Sequence, residues 1–220
     1  MHTITLICTR HEAIGACNLN ELYRIVERIK PEVIFEELPP SVFDNFYVNK
    51  TRSNLESDTI NKYLENHEIK HILVDYEDIP KTINTENGAV HRIIERRSHT
   101  YRDLLDIHKI YCQQFGFKYL NNIDCENLHK ALYLEMEEAL KEFKMEKQMY
   151  IFSQWIEIMI HTRENVMLNN IQKYCAENEF ERGLFFIGGG HRATIIEKIK
   201  KLENEPCIIN WNYNDYSGLL

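Results

Sequence analysis

The sequence predicts an α/β domain: a mostly parallel central sheet flanked by helices, with a helical insertion between the third strand and the last ones. Three observations carry this. Short apolar, β-branched runs alternate with helical periodicity near the N-terminus. Those runs are apolar throughout, as strands covered on both faces of a parallel sheet must be. The long middle of the chain holds helical stripes and almost no strand signal.

The elements follow in order. Residues 3–8 (TITLIC) read as the first strand. Asn18 is placed to cap a helix over 19–30, where Leu22, Ile25, Val26 and Ile29 recur at helical spacing. Pro31 ends that helix, and Val33, Ile34 and Phe35 begin a second strand. Ile72, Leu73 and Val74 form a third, ending at Asp75. Leu184 to Ile187 runs into Gly188, Gly189, Gly190 and His191, with a helix after it, and Ile208 and Ile209 offer a last strand. From about 89 to 177 the one breaker is Gly116. Leu132, Met136, Leu140 and Phe143 make one stripe there, and Phe152, Trp155, Ile156, Met159 and Ile160 another. This segment reads as an insertion folded over one end of the sheet or, equally, as a plain pair of packing helices.

Composition narrows the function. At 220 residues the chain fits a single domain, 1–220, with enough length to bury a core unaided. The net charge is −8 and Lys and Arg form no stripe, which argues against a nucleic-acid partner. No apolar run is long enough to span a membrane, and no signal core is visible. The six cysteines (Cys8, Cys17, Cys112, Cys125, Cys175 and Cys207) form no CxxC pair; free thiols in a reducing, cytoplasmic setting are expected. The aromatic tail from Trp211 to Tyr216 packs on its own domain or, as the alternative, lies in a homodimer interface.

His67-Glu68-Ile69-Lys70-His71 matches the HExxH zinc signature, which needs both histidines on one face of a continuous helix. Here His71 leads straight into a strand, so the two imidazoles are expected to point apart and the match to be fortuitous.

The stronger signal lies at the strand ends. In an open parallel sheet, ligands collect beyond the carboxyl ends of the strands. The first strand ends in Cys8, Thr9, Arg10 and His11, the second in Glu36 and Glu37, the third in Asp75, and the fourth in the glycine run before His191. Two histidines and a carboxylate converging there could hold a divalent ion with an open position. Gly188, Gly189 and Gly190 would permit positive φ and close approach to a ligand, and amides of the following helix could receive an oxyanion.

The run from Ile4 to Pro39 resembles the N-terminal unit of the TraB/Tiki family, within a wider assembly that includes ChaN-like and erythromycin-esterase-like proteins. That family has a strand ending in GxxH, a helix, and a strand rising into a glutamate. The counterparts are CTRH at 8–11 and Lys30 to Pro39, which places the family's glutamate on Glu37. Thr162 to Ile171 resembles its arginine-bearing helix, and Gly188 to His191 its second GxxH. The chain departs from the pattern at Cys8, where the family has glycine, and at Val74-Asp75-Tyr76, where an arginine is missing.

The resemblance implies a metal-assisted hydrolase of peptide or ester bonds in a small-molecule or peptide substrate. His11, Glu37 and His191 would hold a manganese, cobalt or zinc ion. Arg163 would stabilise an oxyanion or anchor a substrate carboxylate, with Arg10 beside it, and Asp75 or Glu36 would serve as general base. The plain role for Arg163 is an ion pair with Glu37 or Asp75. Two other readings use the same cleft: a metal-free esterase with His11 or His191 as base beside Glu37, and a non-catalytic binder of a small ligand. The binder could resemble ChaN-like haem binders, with Tyr76, His91, Tyr101 and His108 contributing. Under the metal reading, Glu37→Gln should abolish hydrolysis and spare the fold.

Overall fold

A computed structural model describes residues 1–203, 209–214, 216 and 219. Five strands form one parallel sheet: β1 (His2–Thr9), β2 (Val33–Glu36), β3 (Lys70–Leu73), β4 (Arg182–Gly188) and β5 (Ile209–Asn212), in the order β3-β2-β4-β1-β5. The expected strands are all present, each within about two residues of its reading. Ile208 and Cys207 lie outside the described residues. The strand cores are fully buried from Ile4 to Cys8, Val33 to Phe35 and Leu184 to Ile187, which explains their unbroken apolar character.

The helices are α1 (Leu19–Ile29), α2 (Leu55–Leu64), α3 (Ile83–Arg97), α4 (His99–Leu120), α5 (Ile123–Glu142), α6 (Glu146–Trp155), α7 (Arg163–Glu177) and α8 (Arg192–Glu203). Asn18 caps α1 through its side chain, as its position suggested, and Leu22, Ile25, Val26 and Ile29 are the buried residues of that helix. The chain steps one way along the sheet through α1 and α2, and the other way through α7 and α8. Right-handed crossovers therefore put each pair on its own face, and each pair is in mutual contact.

The helical segment begins at Ile83, earlier than position 89, and holds more than a pair of helices. α3 to α6 enclose a second core of Val90, Ile94, Tyr101, Leu128, Leu132, Met136, Leu140 and Phe152, distinct from the sheet core. Gly116 does break the helix it sits in: its φ of 57° kinks α4, and a Cβ there would lie 2.7 Å from the Ala16 carbonyl oxygen. A π-helical stretch, Ile156–Thr162, carries α6 into α7 and sets Arg163 at the start of α7. α4 touches β1, and α5 touches the glycine turn after β4, so this layer closes over the carboxyl end of the sheet.

The described part of the aromatic tail packs on its own domain. Trp211 and Tyr213 are buried, and the Tyr216 hydroxyl donates to the Leu6 carbonyl at 2.9 Å. No described helix is long and apolar enough to cross a membrane.

Candidate functional site at the carboxyl edge of the sheet

β1 and β4 are neighbours whose onward connections run in opposite directions, which is where an open parallel sheet forms a crevice. Register sets Thr9 beside Gly188, and Glu36 beside Phe186. Glu37, one residue beyond β2, therefore reaches the glycine turn. The Gly188 amide donates to Glu37 Oε2 at 2.6 Å.

Glu37 Oε1 receives Arg163 Nη2 at 2.7 Å and lies 3.3 Å from His191 Nε2. Arg163 also clasps Asp75, with Nη2 to Oδ2 at 2.6 Å and Nε to Oδ1 at 2.9 Å. His191 Nδ1 sits 2.8 Å from Glu164 Oε1, and Lys198 Nζ is 3.1 Å from Glu164 Oε2. Three carboxylates (Glu37, Asp75, Glu164) thus face three cations (Arg163, His191 when protonated, Lys198). Burial alone would raise the Glu37 carboxyl, but His191 and Arg163 hold it well below the usual range. Burial would likewise discharge His191, yet Glu37 and Glu164 push it up to about 9, so it carries a proton at neutral pH. The ion pair with both Glu37 and Asp75 is thus what Arg163 makes in the folded chain.

His11 stands apart from this network. Its imidazole is 58% exposed at the mouth of a narrow crevice lined by Thr9, Glu37, Asn54 and Glu56, with Nδ1 3.4 Å from Glu56 Oε2. Glu56 is buried and also accepts from the Thr9 hydroxyl at 2.5 Å. Its position is set by a capping box: Asn54 and Ser57 bond each other's backbone N–H at the start of α2, and the Leu55 amide donates to the His11 carbonyl at 2.9 Å. The hydrogen bond to Glu56 raises His11 to about 9 although partial burial disfavours its charge; water around the exposed ring screens part of that attraction.

The structure thus brings Glu37, His191, Arg163 and Asp75 together and leaves His11 on Glu56. Among the described residues, His11, Glu37 and His191 do not form a set of ligand atoms within mutual reach of one ion: Glu37 and His191 pair with each other and with further partners, and His11 pairs with Glu56. The residues in this arrangement do not fit the divalent ion that the resemblance implies. A group with metal-ligand spacing exists instead at His108, Cys125 and His129.

The remaining candidates are placed as follows. Glu36 points away from Glu37, as alternation demands, and is held by Tyr47 and by His71 Nε2 at 2.9 Å. That pairing also disposes of the HExxH match: His71 serves Glu36, while His67 stacks on Tyr63 at 3.9 Å. Asp75 is committed to Arg163, while Glu36 keeps an unpartnered Oε1 on the side of Tyr47 and His71 rather than of Glu37. Arg10 lies near enough to Cys17 and Cys112 for its charge to act on them, with its Nε buried and unpartnered. Gly188, Gly189 and Gly190 do not use positive φ. Their value is space: a Cβ on Gly189 would meet Leu120 Cδ2 at 3.1 Å. The first turn needs no glycine, because Asn121 grips the Cys8 backbone on both sides at 2.8 and 3.0 Å. The residues proposed for a haem-like ligand are split, His91 being bonded to Tyr101 inside the helical core while His108 joins the thiol cluster.

Sequence reasoning missed Glu56 and Glu164. The signal for Glu56 was the N-x-x-S capping pattern around it; Glu164 adjoins Arg163 and gave no signal of its own. A roomier groove lined by Lys118, Glu126, Arg192, Lys200 and Tyr216 lies on another side of the turn, but the paired imidazoles and carboxylates do not converge in it. Set against protein-family models, curated protein sequences and solved structures, the chain matches none of them, so its chemistry rests on its own geometry.

Proposed function

We propose that this chain is a hydrolase of ester or peptide bonds in a small-molecule or peptide substrate, and that His11 is its proton-transfer group. The observation that carries the reading is the His11–Glu56 pair: an exposed imidazole whose Nδ1 faces a buried carboxylate, at the mouth of a crevice walled by Glu37. With Nδ1 held, Nε2 is left to take a proton from a water attacking the substrate carbonyl and to return it to the leaving group. Glu37, Arg163 and His191 then act behind the crevice, fixing its wall and its charge. The motif resemblance to esterase-like proteins supports the same class. This is the metal-free form of the chemistry, favoured because Glu37 and His191 are already paired and His11 is held on Glu56, outside reach of a shared ion.

The test is a screen of aryl esters and short peptides with chelator-treated protein, comparing His11→Gln with the parent. Loss of His11 should cut the rate by about 10²–10⁴-fold and leave the melting temperature unchanged, since the ring is largely exposed. A base must be deprotonated, so the parent rate should rise with pH towards about 9. Glu56→Gln should move that limb down towards the ordinary 6.5. Full activity in His11→Gln would sink the proposal. Activity that returns only with manganese, cobalt or zinc, and is lost again in folded Glu37→Gln and His191→Gln, would instead favour an ion at His11, Glu37 and His191.

A further inference from the structure

Two pairs of metal-binding residue types face each other on adjacent helices. His108 and Cys112 lie four apart on α4, and Cys125 and His129 four apart on α5, so each pair occupies one helix face. The two helices pack together, and ligand atoms of His108, Cys125 and His129 all fall within 4.8 Å of one another. Cys112 Sγ is 3.6 Å from His108 Nε2. His129 Nε2 is buried without a hydrogen-bond partner, a penalty that a bound cation would remove.

We propose that this cluster is a zinc site, with His108, Cys125 and His129 as three ligands and Cys112 as the fourth. Two sulfurs and two nitrogens are the donor set of tetrahedral structural zinc. Two thiolates also neutralise a divalent ion, which a buried position requires. The Tyr119 hydroxyl, 3.0 Å from His108 Nδ1, fixes that ring and leaves Nε2 for the metal. Both thiol protons are released to solvent as the Zn–S bonds form.

The site abuts the glycine turn that carries His191. A Cβ on Gly189 would lie 3.8 Å from Cys125 Sγ, and one on Gly190 would lie 3.7 Å from His129 Cε1. A metal here fastens α4 to α5 directly beside the glycine turn.

The experiment is cobalt titration of the full chain, purified without nickel and stripped of metal by a chelator that is then dialysed away, followed by zinc competition. One equivalent of Co(II) should bind with tetrahedral visible bands and a thiolate-to-cobalt band in the near ultraviolet, and zinc should displace it. Cys125→Ser and His129→Gln should each weaken binding by more than about 100-fold, beyond the 10–100-fold typical of an outer partner. Cys112→Ser should keep the stoichiometry and lose about half of the near-ultraviolet band. His191→Gln should bind cobalt normally, which separates this site from the sheet edge. Far-ultraviolet circular dichroism of each metal-free variant checks folding, and a rise in the parent's melting temperature with one equivalent of zinc gives a readout that needs no variant. Substoichiometric binding by the parent, or unchanged binding in both Cys125→Ser and His129→Gln, would overturn the site. An unchanged near-ultraviolet band in Cys112→Ser would overturn the four-ligand form.

Discussion

Two polar clusters lie on either side of one glycine turn, and they differ in what they lack. The cluster at the sheet edge is complete: Glu37, Asp75 and Glu164 are matched by Arg163, His191 and Lys198. The cluster between α4 and α5 is incomplete, with a buried His129 nitrogen that nothing satisfies. Buried charges are tolerated when paired, and a buried polar atom without a partner calls for an explanation. The difference teaches that converging imidazoles and carboxylates do not by themselves indicate a ligand. What matters is whether their hydrogen-bonding capacity is already spent. By that criterion His11, open to solvent, and the His129 nitrogen of the His108–Cys125–His129 group have capacity to spare, as do isolated buried atoms such as Arg10 Nε and Trp211 Nε1.

If the sheet-edge cluster is complete, breaking it should be expensive. Arg163→Met strands Glu37 and Asp75 in the interior, and urea unfolding should show a loss of about 3–5 kcal/mol. Glu37→Gln should also lose stability, because Glu37 holds Arg163, His191 and the Gly188 amide together. This departs from the sequence-based expectation of a spared fold. A loss below about 1 kcal/mol for Arg163→Met would place the network in the weak class of exposed pairs.

The next effect is on packing at the turn itself. A methyl group on Gly189 meets Leu120 at 3.1 Å, and Gly189→Ala should cost about 1–3 kcal/mol, read by thermal or urea unfolding. A neutral result would mean that Leu120 can give way, and that the two clusters are less rigidly joined than the turn suggests.

The pH dependence of stability sharpens the comparison further. His191 is raised from 6.5 to about 9, so its contribution is complete below its unfolded value and is lost as pH climbs through about 9. Glu37 is lowered, so its contribution is present above its unfolded value of 4.5 and is lost as pH falls below it. The urea midpoint should therefore be highest between those limits, and His191→Gln should flatten the alkaline limb. The smallest expected effect is Asn18→Ala, which removes one cap far from both clusters and should cost about 1 kcal/mol.

The legible part of the site was the part written in strand ends. Glu37, Asp75 and His191 each lie within three residues of a strand's carboxyl end, and a parallel sheet must bring those ends to one edge. Glu56 was not legible because it arrives from the start of α2 and meets His11 only through the loop between. The zinc candidate left a trace that was not read: His108 and Cys112, and Cys125 and His129, each share helical spacing. The pairing of the two helices across the Gly116 kink was needed to bring them together.

The sequence by itself determined the strands, their parallel order of appearance, the Asn18 cap, the Gly116 break and the mismatch in HExxH. These depend on periodicity, β-branching and backbone freedom, which act over a few residues. Only the tertiary structure decided which charges meet. Glu36 and Glu37 are adjacent and chemically alike, yet pleating sends one to Tyr47 and His71 and the other to Arg163 and His191. A partner's identity is set by sheet register and helix packing over separations of up to 154 residues (Glu37 to His191), and no local rule carries that information.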